Sequence, residues 1–235
     1  MNETFFAGVK REETSLYFFD WSMISANFPI PAAKVQEILP SKKLKPVQFM
    51  PGMAVVSLVA SEYRRIDRLR PYNEFGITVP VLYKATDSIQ GLPGYYVYYL
   101  PVTTQEACDH GIKVYGFSKF VAEISFEDTR EMRCCRVRAK GKDIITLEVK
   151  KLPTEFHSWD YYIYTVKDRQ LLRTCIPSQG QSGTSDIKGG ASCTLGRHPI
   201  ADELRALEIN KISIWHQFVP QMQAIMYLPG EHLPL

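Results

Sequence analysis

The stretch KVYGFSKFVAEISF, residues 113–126, sets one lysine between an aromatic run and an apolar, strand-like segment. Phe120, Ala122, Ile124 and Phe126 recur at every second position, the period of a strand with one buried face, and Val121 interrupts the polar side. Lys119 stands at the edge of this pattern. If the alternation reaches back to it, Lys119 shares the outer face with Val121. If the strand starts a residue later, Lys119 sits at its mouth and can turn inward. Periodicity leaves both open, and the ordinary place for a lysine is in solvent.

Strand signals continue on both sides of this stretch. MAVVSLVASEYR (53–64), FGITVPVLYK (75–84) and GYYVYYLPVTT (94–104) are rich in β-branched and aromatic residues. MRCCRVRAKGKDIITLEVKKL (132–152) reads as a hairpin turning at Gly141, and YYIYTV (161–166) and KISIWHQF (211–218) add two strands. Helices are few. PAAKVQEIL (31–39) places Pro31 at a first helical position, with Val35, Ile38 and Leu39 on one face. TTQEACDHG (103–111) has Thr103 or Thr104 as cap and Gly111 as stop, and HPIADELRAL (198–207) starts at Pro199. SQGQSGTSDIKGGASCTLG (178–196) reads as a Gly/Ser-rich loop, with a short strand possible after it. The expectation is a mainly β (α+β) chain, an antiparallel sheet closed or sandwiched with a few flanking helices, in one domain over residues 1–235.

Composition excludes several classes. Of 235 residues 45% are hydrophobic and 23% charged, the balance of a globular chain with a substantial core. A net charge of +3 is too small to argue for nucleic acid, and the one basic cluster is RRIDRLR at 64–70. No apolar run reaches transmembrane length, and MNETFFAGVKREE (1–13) becomes charged too early for a secretory signal. No membrane partner and a cytoplasmic location are therefore expected. The five cysteines are an odd number without metal-like spacing, which suits reduced thiols.

No dinucleotide, Walker, zincin or nucleophile-elbow motif is present, and His110, His157, His198, His216 and His232 are scattered, so no metal is expected. His216, on a strand, reads as a satisfied core group. Arg64, Arg65, Arg68 and Arg70 read first as a solvated loop and second as a carboxylate clamp, with Arg65 a candidate substrate contact. Glu74 falls just before an apolar strand, where an inward carboxylate needs partners or moves protons. Lysine chemistry has a stated threshold. A free lysine amine titrates near about 10.4, so roughly one molecule in 2,500 is neutral at pH 7. Bringing a lysine to about 7 raises that fraction by about three orders of magnitude at a cost of about 4–5 kcal/mol. Aromatic neighbours such as Tyr115, Phe117 and Phe120 are the available desolvating groups. A neutral amine attacks an aldehyde or ketone and forms an iminium, an electron sink.

These residues resemble a known family. GFSKFVAEI (116–124) is similar to the Gly-x-Pro-Lys-(Lys)-x-x-Ala segment of the acetoacetate decarboxylase superfamily, which places Lys119 on its Schiff-base lysine. PYNEFGITVPV (71–81) resembles the family's Tyr-x-Glu segment and places Glu74 on an active-site glutamate. AAKVQEILP (32–40), HPIADELRALEI (198–209) and QFVPQMQAIMYLP (217–229) follow in the family's order. The departures are specific. Phe120 stands where the family's decarboxylase has a second lysine, and that enzyme is the standard example of a lysine activated by a neighbouring cation. Ser118 replaces the motif proline, the family's early arginine falls near Trp21 or Ser22, and a second glutamate falls near Ser57.

The resemblance implies a β-cone or barrel of the acetoacetate decarboxylase type, which encloses one small ligand. It implies a Schiff-base lyase acting on a small or medium oxo acid or carbonyl compound, with Lys119 as nucleophile and Glu74 as acid/base. Tyr72, Tyr115, Phe117 and Phe120 would line the pocket, no cofactor would be needed, and a homo-oligomer is expected. Two alternatives remain: a pyruvate-dependent aldolase-dehydratase using the same lysine, and a non-catalytic binder of a carbonyl or lipid-like ligand.

Overall fold

The computed structural model describes Phe6, residues 15–84 and residues 91–235. The N-terminal stretch weighed as a secretory signal lies outside the described residues apart from Phe6. Strand β1 (Leu16–Pro31) leads into helix α1 (Ala32–Ile38), so Pro31 ends a strand and caps the helix instead of opening it. Short strands β2 (Leu44–Pro46) and β3 (Gln48–Met50) precede the long β4 (Met53–Ile66) and β5 (Tyr72–Tyr83). Then come β6 (Leu92–Tyr99), helix α2 (Gln105–Tyr115) and the meander β7 (Glu123–Asp128), β8 (Met132–Ala139) and β9 (Lys142–Lys150). The hairpin β10 (Glu155–Lys167) and β11 (Gln170–Ser185) is followed by β12 (Ala191–Leu195), helix α3 (Pro199–Ala206), β13 (Trp215–Met226) and β14 (Glu231–Pro234).

Seven strands close a barrel in the order β5, β6, β10, β11, β13, β1, β4 and back to β5. A ring whose neighbours all run antiparallel needs an even number of strands. Seven therefore require a parallel contact, and β6 and β10 supply it through Tyr95 with Ile163 and Tyr96 with Tyr164. The expected barrel, antiparallel in the main, thus carries one parallel contact. Parallel neighbours need a long crossover, and here it carries α2 and the β7–β9 meander. Those three strands and β12 form a second, antiparallel sheet in the order β12, β9, β8, β7.

The second sheet explains the near-continuous apolar runs of the sequence. Ile24, Phe28, Val56, Leu58, Phe75 and Ile77 face outward from the barrel into one buried cluster with Ile124, Val137, Ile145 and Leu147 of the second sheet. Strands covered on both faces lose the polar alternation of a half-exposed sheet. The β8–β9 hairpin turns as its sequence indicates. Lys140 and Gly141 both take positive φ, 51° and 72°, the geometry of a tight two-residue turn that follows strand twist.

Residues 178–185, expected as part of a loop, instead continue β11. Their glycines serve close packing. A Cβ on Gly180 would lie 2.6 Å from the Met222 Cα of β13, and one on Gly183 would run into the Pro153 carbonyl. At the start of β13, residues 211–214 precede the strand, which begins at Trp215. All five cysteines are free, and Cys134 and Cys135 point to opposite faces of β8. No helix among the described residues is long and apolar enough to cross a membrane.

His216 is buried as expected, at 1% exposure, but neither ring nitrogen has a hydrogen-bond partner among the described residues. Burial above all, and then the charge of Lys150, holds it below the usual histidine range. His110 on α2 is held down too, by burial first and then by Lys119 and Arg68. Below about pH 6.5 the unfolded chain takes up protons that the native fold refuses, so stability falls as pH drops through that point. A His216→Leu protein should match the parent's stability near neutral pH to within about 1 kcal/mol, because two unmade hydrogen bonds disappear with the ring. It should also lose less stability between pH 7 and 5.5. Thermal melts across that window test this, and parallel curves for the two proteins would refute it.

Candidate active site

Helix α2 prepares the site. Its cap Thr104 accepts from the Ala107 N–H at 3.3 Å. It ends at Gly116, in the left-handed region (φ 68°), whose N–H reaches the Ile112 carbonyl while Phe117 N–H reaches that of Gly111. The expectation that Gly111 stops the helix is corrected, since Gly111 lies inside α2. Lys119 takes up the space a side chain would need there: a Cβ at Gly111 would lie 2.7 Å from both Cδ and Cε of Lys119.

Past the helix, residues 118–122 run beside 100–102. Leu100 N–H bonds the Ser118 carbonyl at 3.1 Å, Val102 N–H the Phe120 carbonyl at 3.0 Å, and Ala122 N–H the Val102 carbonyl at 2.9 Å. Val102 also pairs with Glu74. Glu74 thus lies inside β5, which begins at Tyr72, and not ahead of the strand as its sequence position indicated. One chain segment separates the backbones of Lys119 and Glu74, a gap of about 10 Å, and the two side chains meet across it. Lys119 Nζ lies 2.8 Å from Glu74 Oε2, and their side chains are only 4% and 12% exposed.

Each partner is further constrained. Tyr63 donates its hydroxyl to Glu74 Oε1 at 2.9 Å, so both carboxylate oxygens are engaged. The ammonium sits 5.2 Å from the Phe117 ring centroid and 5.5 Å from that of Tyr72, within cation–π range. Burial, with the charge of Glu74 second, pushes the Tyr63 and Tyr72 hydroxyls well above the usual phenol range, so both remain protonated donors.

The pair faces a cavity of about 390 Å³ inside the barrel. Strand alternation builds its wall: odd positions 21–27 of β1 and 57–63 of β4, and even positions 72–78 of β5, point inward. Of the residues singled out from sequence, Lys119, Glu74, Tyr72 and Phe117 line the cavity. Tyr115 is buried behind Phe117, 5.5 Å away between ring centroids, with its hydroxyl on the Met226 carbonyl. Phe120 packs edge-on to Tyr99 in the core between the sheets. Arg65 is exposed and lies over the Phe19 ring. Arg64 pairs with Asp20 at 2.7 Å and Arg70 with Glu106 at 3.3 Å, and none of the four arginines of 64–70 lines the cavity.

Sequence reasoning missed Tyr63, Ser61, Asn27 and Thr78. Their signal was present as polar residues on the inward parity of otherwise apolar strands, as with Ser57, Ser61 and Tyr63 in AVVSLVASEY. Among the described residues no group of His, Cys, Asp and Glu is arranged to hold a metal ion.

Comparison with known proteins places this architecture. An acetoacetate decarboxylase structure superposes with a TM-score of 0.68 at 13% identity, covering 96% of this chain and 91% of the other. The acetoacetate decarboxylase of Legionella pneumophila subsp. pneumophila str. Philadelphia 1 gives 0.62 at 17% identity, covering 96% and 92%. The enduracididine biosynthesis enzyme MppR, complexed with the condensation product of pyruvate and imidazole 4-carboxaldehyde, gives 0.62 at 12% identity, covering 94% and 89%. At such identities these likenesses speak for the fold alone. No curated protein sequence matches the chain. The sequence profile of acetoacetate decarboxylase (ADC), however, matches residues 4–227. With that profile running along nearly the whole chain, the protein belongs to the acetoacetate decarboxylase family.

Proposed function

We propose that the protein is a Schiff-base-forming lyase in which Lys119 is the nucleophile and Glu74 the proton carrier. The observation that carries this reading is the buried Lys119–Glu74 pair, 2.8 Å apart on the wall of a cavity of about 390 Å³. Glu74 takes a proton from the Lys119 ammonium. The freed lone pair attacks the substrate carbonyl carbon, the C=O π pair moves to oxygen, and a proton passes from the newly bonded nitrogen to that oxygen. The carbinolamine then expels water as nitrogen forms the C=N bond, with Glu74 returning the proton that the leaving hydroxyl needs. Tyr63 holds the carboxylate in place by its bond to Oε1.

The second half depends on the substrate. A β-oxo acid releases carbon dioxide, and the C–C bond pair passes into the iminium. A substrate with an α-hydrogen loses that proton to Glu74 and becomes an enamine, which adds to an aldehyde. MppR, with its bound condensation product of pyruvate and an aldehyde, favours keeping the aldol route beside decarboxylation.

Reduction with borohydride in the presence of carbonyl compounds tests the reading. The expected result is a secondary-amine adduct mapped to Lys119 by mass spectrometry, and a broad panel giving none would sink it. A Glu74→Gln variant keeps the size of the side chain but cannot carry the proton. Its kcat/KM should fall by about 10²–10⁴-fold, and trapping should slow in parallel. Unchanged trapping would remove Glu74 from its assigned role.

A further inference from the structure

Charge on the cavity wall is sparse. Among the described lining residues only Lys119, Glu74 and Asp160 are charged, and Lys119 is already paired with Glu74. Asp160, the one exposed lining residue, adds a negative charge on the solvent side. Among the described lining residues a carboxylate on a ligand would meet no arginine, histidine or second lysine. Inside a mainly apolar cavity an anion without a cationic partner is strongly disfavoured.

The wall instead offers neutral hydrogen-bonding groups, arranged in a row. Asn27 of β1 faces Ser57 of β4, and Ser57 faces Thr78 of β5. All three line the cavity. A second row holds Met23, Ser61 and Glu74, and four residues separate the two rows on each of the three strands. At about 3.3 Å per residue the polar row therefore lies about 13 Å from the Glu74 level. Asn27 Oδ1 accepts the Ser57 hydroxyl at 2.6 Å, and no bond joins its amide nitrogen to a described residue. Between the rows lie Ser25, Val59 and Gly76. The Ser25 hydroxyl is engaged by Gln217 Oε1 at 3.4 Å, and Gly76 adds no side chain to the passage. A cavity of about 390 Å³ falls in the size class that encloses ligands of ten or more heavy atoms, beyond the need of a three-carbon oxo acid.

We propose that Asn27, Ser57 and Thr78 form a second recognition subsite, and that the ligand is an elongated, uncharged aldehyde or ketone. Its carbonyl meets Lys119, its apolar or aromatic body fills the passage, and a hydroxyl or amide at the far end bonds the polar row. This rests on the Schiff-base reading of Lys119. An uncharged ligand has no carboxylate to lose, so its iminium passes the α-proton to Glu74. The resulting enamine carbon adds to the carbonyl carbon of a second aldehyde, whose oxygen takes the proton back from Glu74. Water then adds to the iminium carbon and frees Lys119. Imine formation releases one water and leaves the far end of the ligand unchanged.

The test is borohydride trapping on the full chain, read as the concentration giving half-maximal labelling of Lys119. The probes are 4-(4-hydroxyphenyl)butan-2-one, 4-phenylbutan-2-one, 4-(4-carboxyphenyl)butan-2-one, pyruvate and acetoacetate. The hydroxyphenyl ketone should half-saturate at a concentration about tenfold below the phenyl ketone and further below the carboxylates. In Asn27→Ala and in Thr78→Val, the preference for hydroxyphenyl over phenyl should shrink towards one, with thermal melts reporting that each variant is folded. Labelling that favours any carboxylate probe, or a hydroxyphenyl preference that survives in both folded variants, overturns the subsite while leaving Lys119 as nucleophile. Absence of a Lys119 adduct with every probe overturns the Schiff-base reading and the subsite with it.

Discussion

A Lys119→Met protein should form no borohydride-trapped adduct and should lose turnover by about 10³-fold or more, the usual scale when a covalent nucleophile is removed. Methionine keeps an unbranched apolar stem in the slot beside Gly111 and deletes only the amine and its charge. The change has a structural cost as well. Glu74 is left 12% exposed with Tyr63 as its remaining partner, and breaking a buried pair by removing one member costs up to about 3–5 kcal/mol. Because Glu74 faces a cavity and keeps the Tyr63 bond, the loss should fall toward the lower end of that range. The double variant Lys119→Met/Glu74→Gln separates the two effects. It removes the stranded charge, so its melting temperature should recover most of the loss while trapping stays absent. Full turnover in folded Lys119→Met would show that another group is the nucleophile.

Much of the barrel was legible in the sequence because its strands announce themselves by β-branched and aromatic content. The β8–β9 hairpin was readable to the residue, since Lys140-Gly141 is a turn with one favoured geometry. What stayed hidden depends on contacts between segments distant in the chain. Gly180 and Gly183 looked like loop residues because nothing local shows that β13 and Pro153 pass against them. Gly111 looked like a helix stop, although the group that needs its missing side chain lies eight positions on, beyond the true stop at Gly116. The inward turn of Lys119 had the same origin. It follows from pairing between residues 118–122 and 100–102, which no periodicity over 113–126 reveals. The parallel β6–β10 contact is a property of ring closure, and a list of strands carries no information on it. Order of motifs was the stronger guide to the site: it brought Lys119 and Glu74 together before any distance was known.

Gly111→Ala should separate stability from chemistry in the opposite direction to Lys119→Met. Within a helix, alanine is favoured over glycine by about 0.5–1 kcal/mol, since glycine loses more backbone freedom on folding. The new methyl, however, would lie 2.7 Å from Cδ and Cε of Lys119 and 3.1 Å from its Nζ. Those atoms are the far end of a flexible side chain, so the lysine moves before the helix does. Any such movement breaks a 2.8 Å contact with Glu74 and displaces the amine from its place between the Phe117 and Tyr72 rings. A misplacement of about 1 Å in a reacting group is worth about 10²-fold in rate. The expected result is a protein whose stability lies within about 1 kcal/mol of the parent's, or slightly above it, with trapping and turnover lowered by about 10²-fold. Lowered stability together with normal trapping would mean that the helix shifts and the lysine does not, and Gly111 would then be a packing residue of α2 with no part in placing the amine. Normal values of both would show that the slot has slack that the present contacts do not suggest. Because the substitution leaves Lys119, Glu74 and the cavity wall chemically intact, its effect on trapping measures placement of the amine alone.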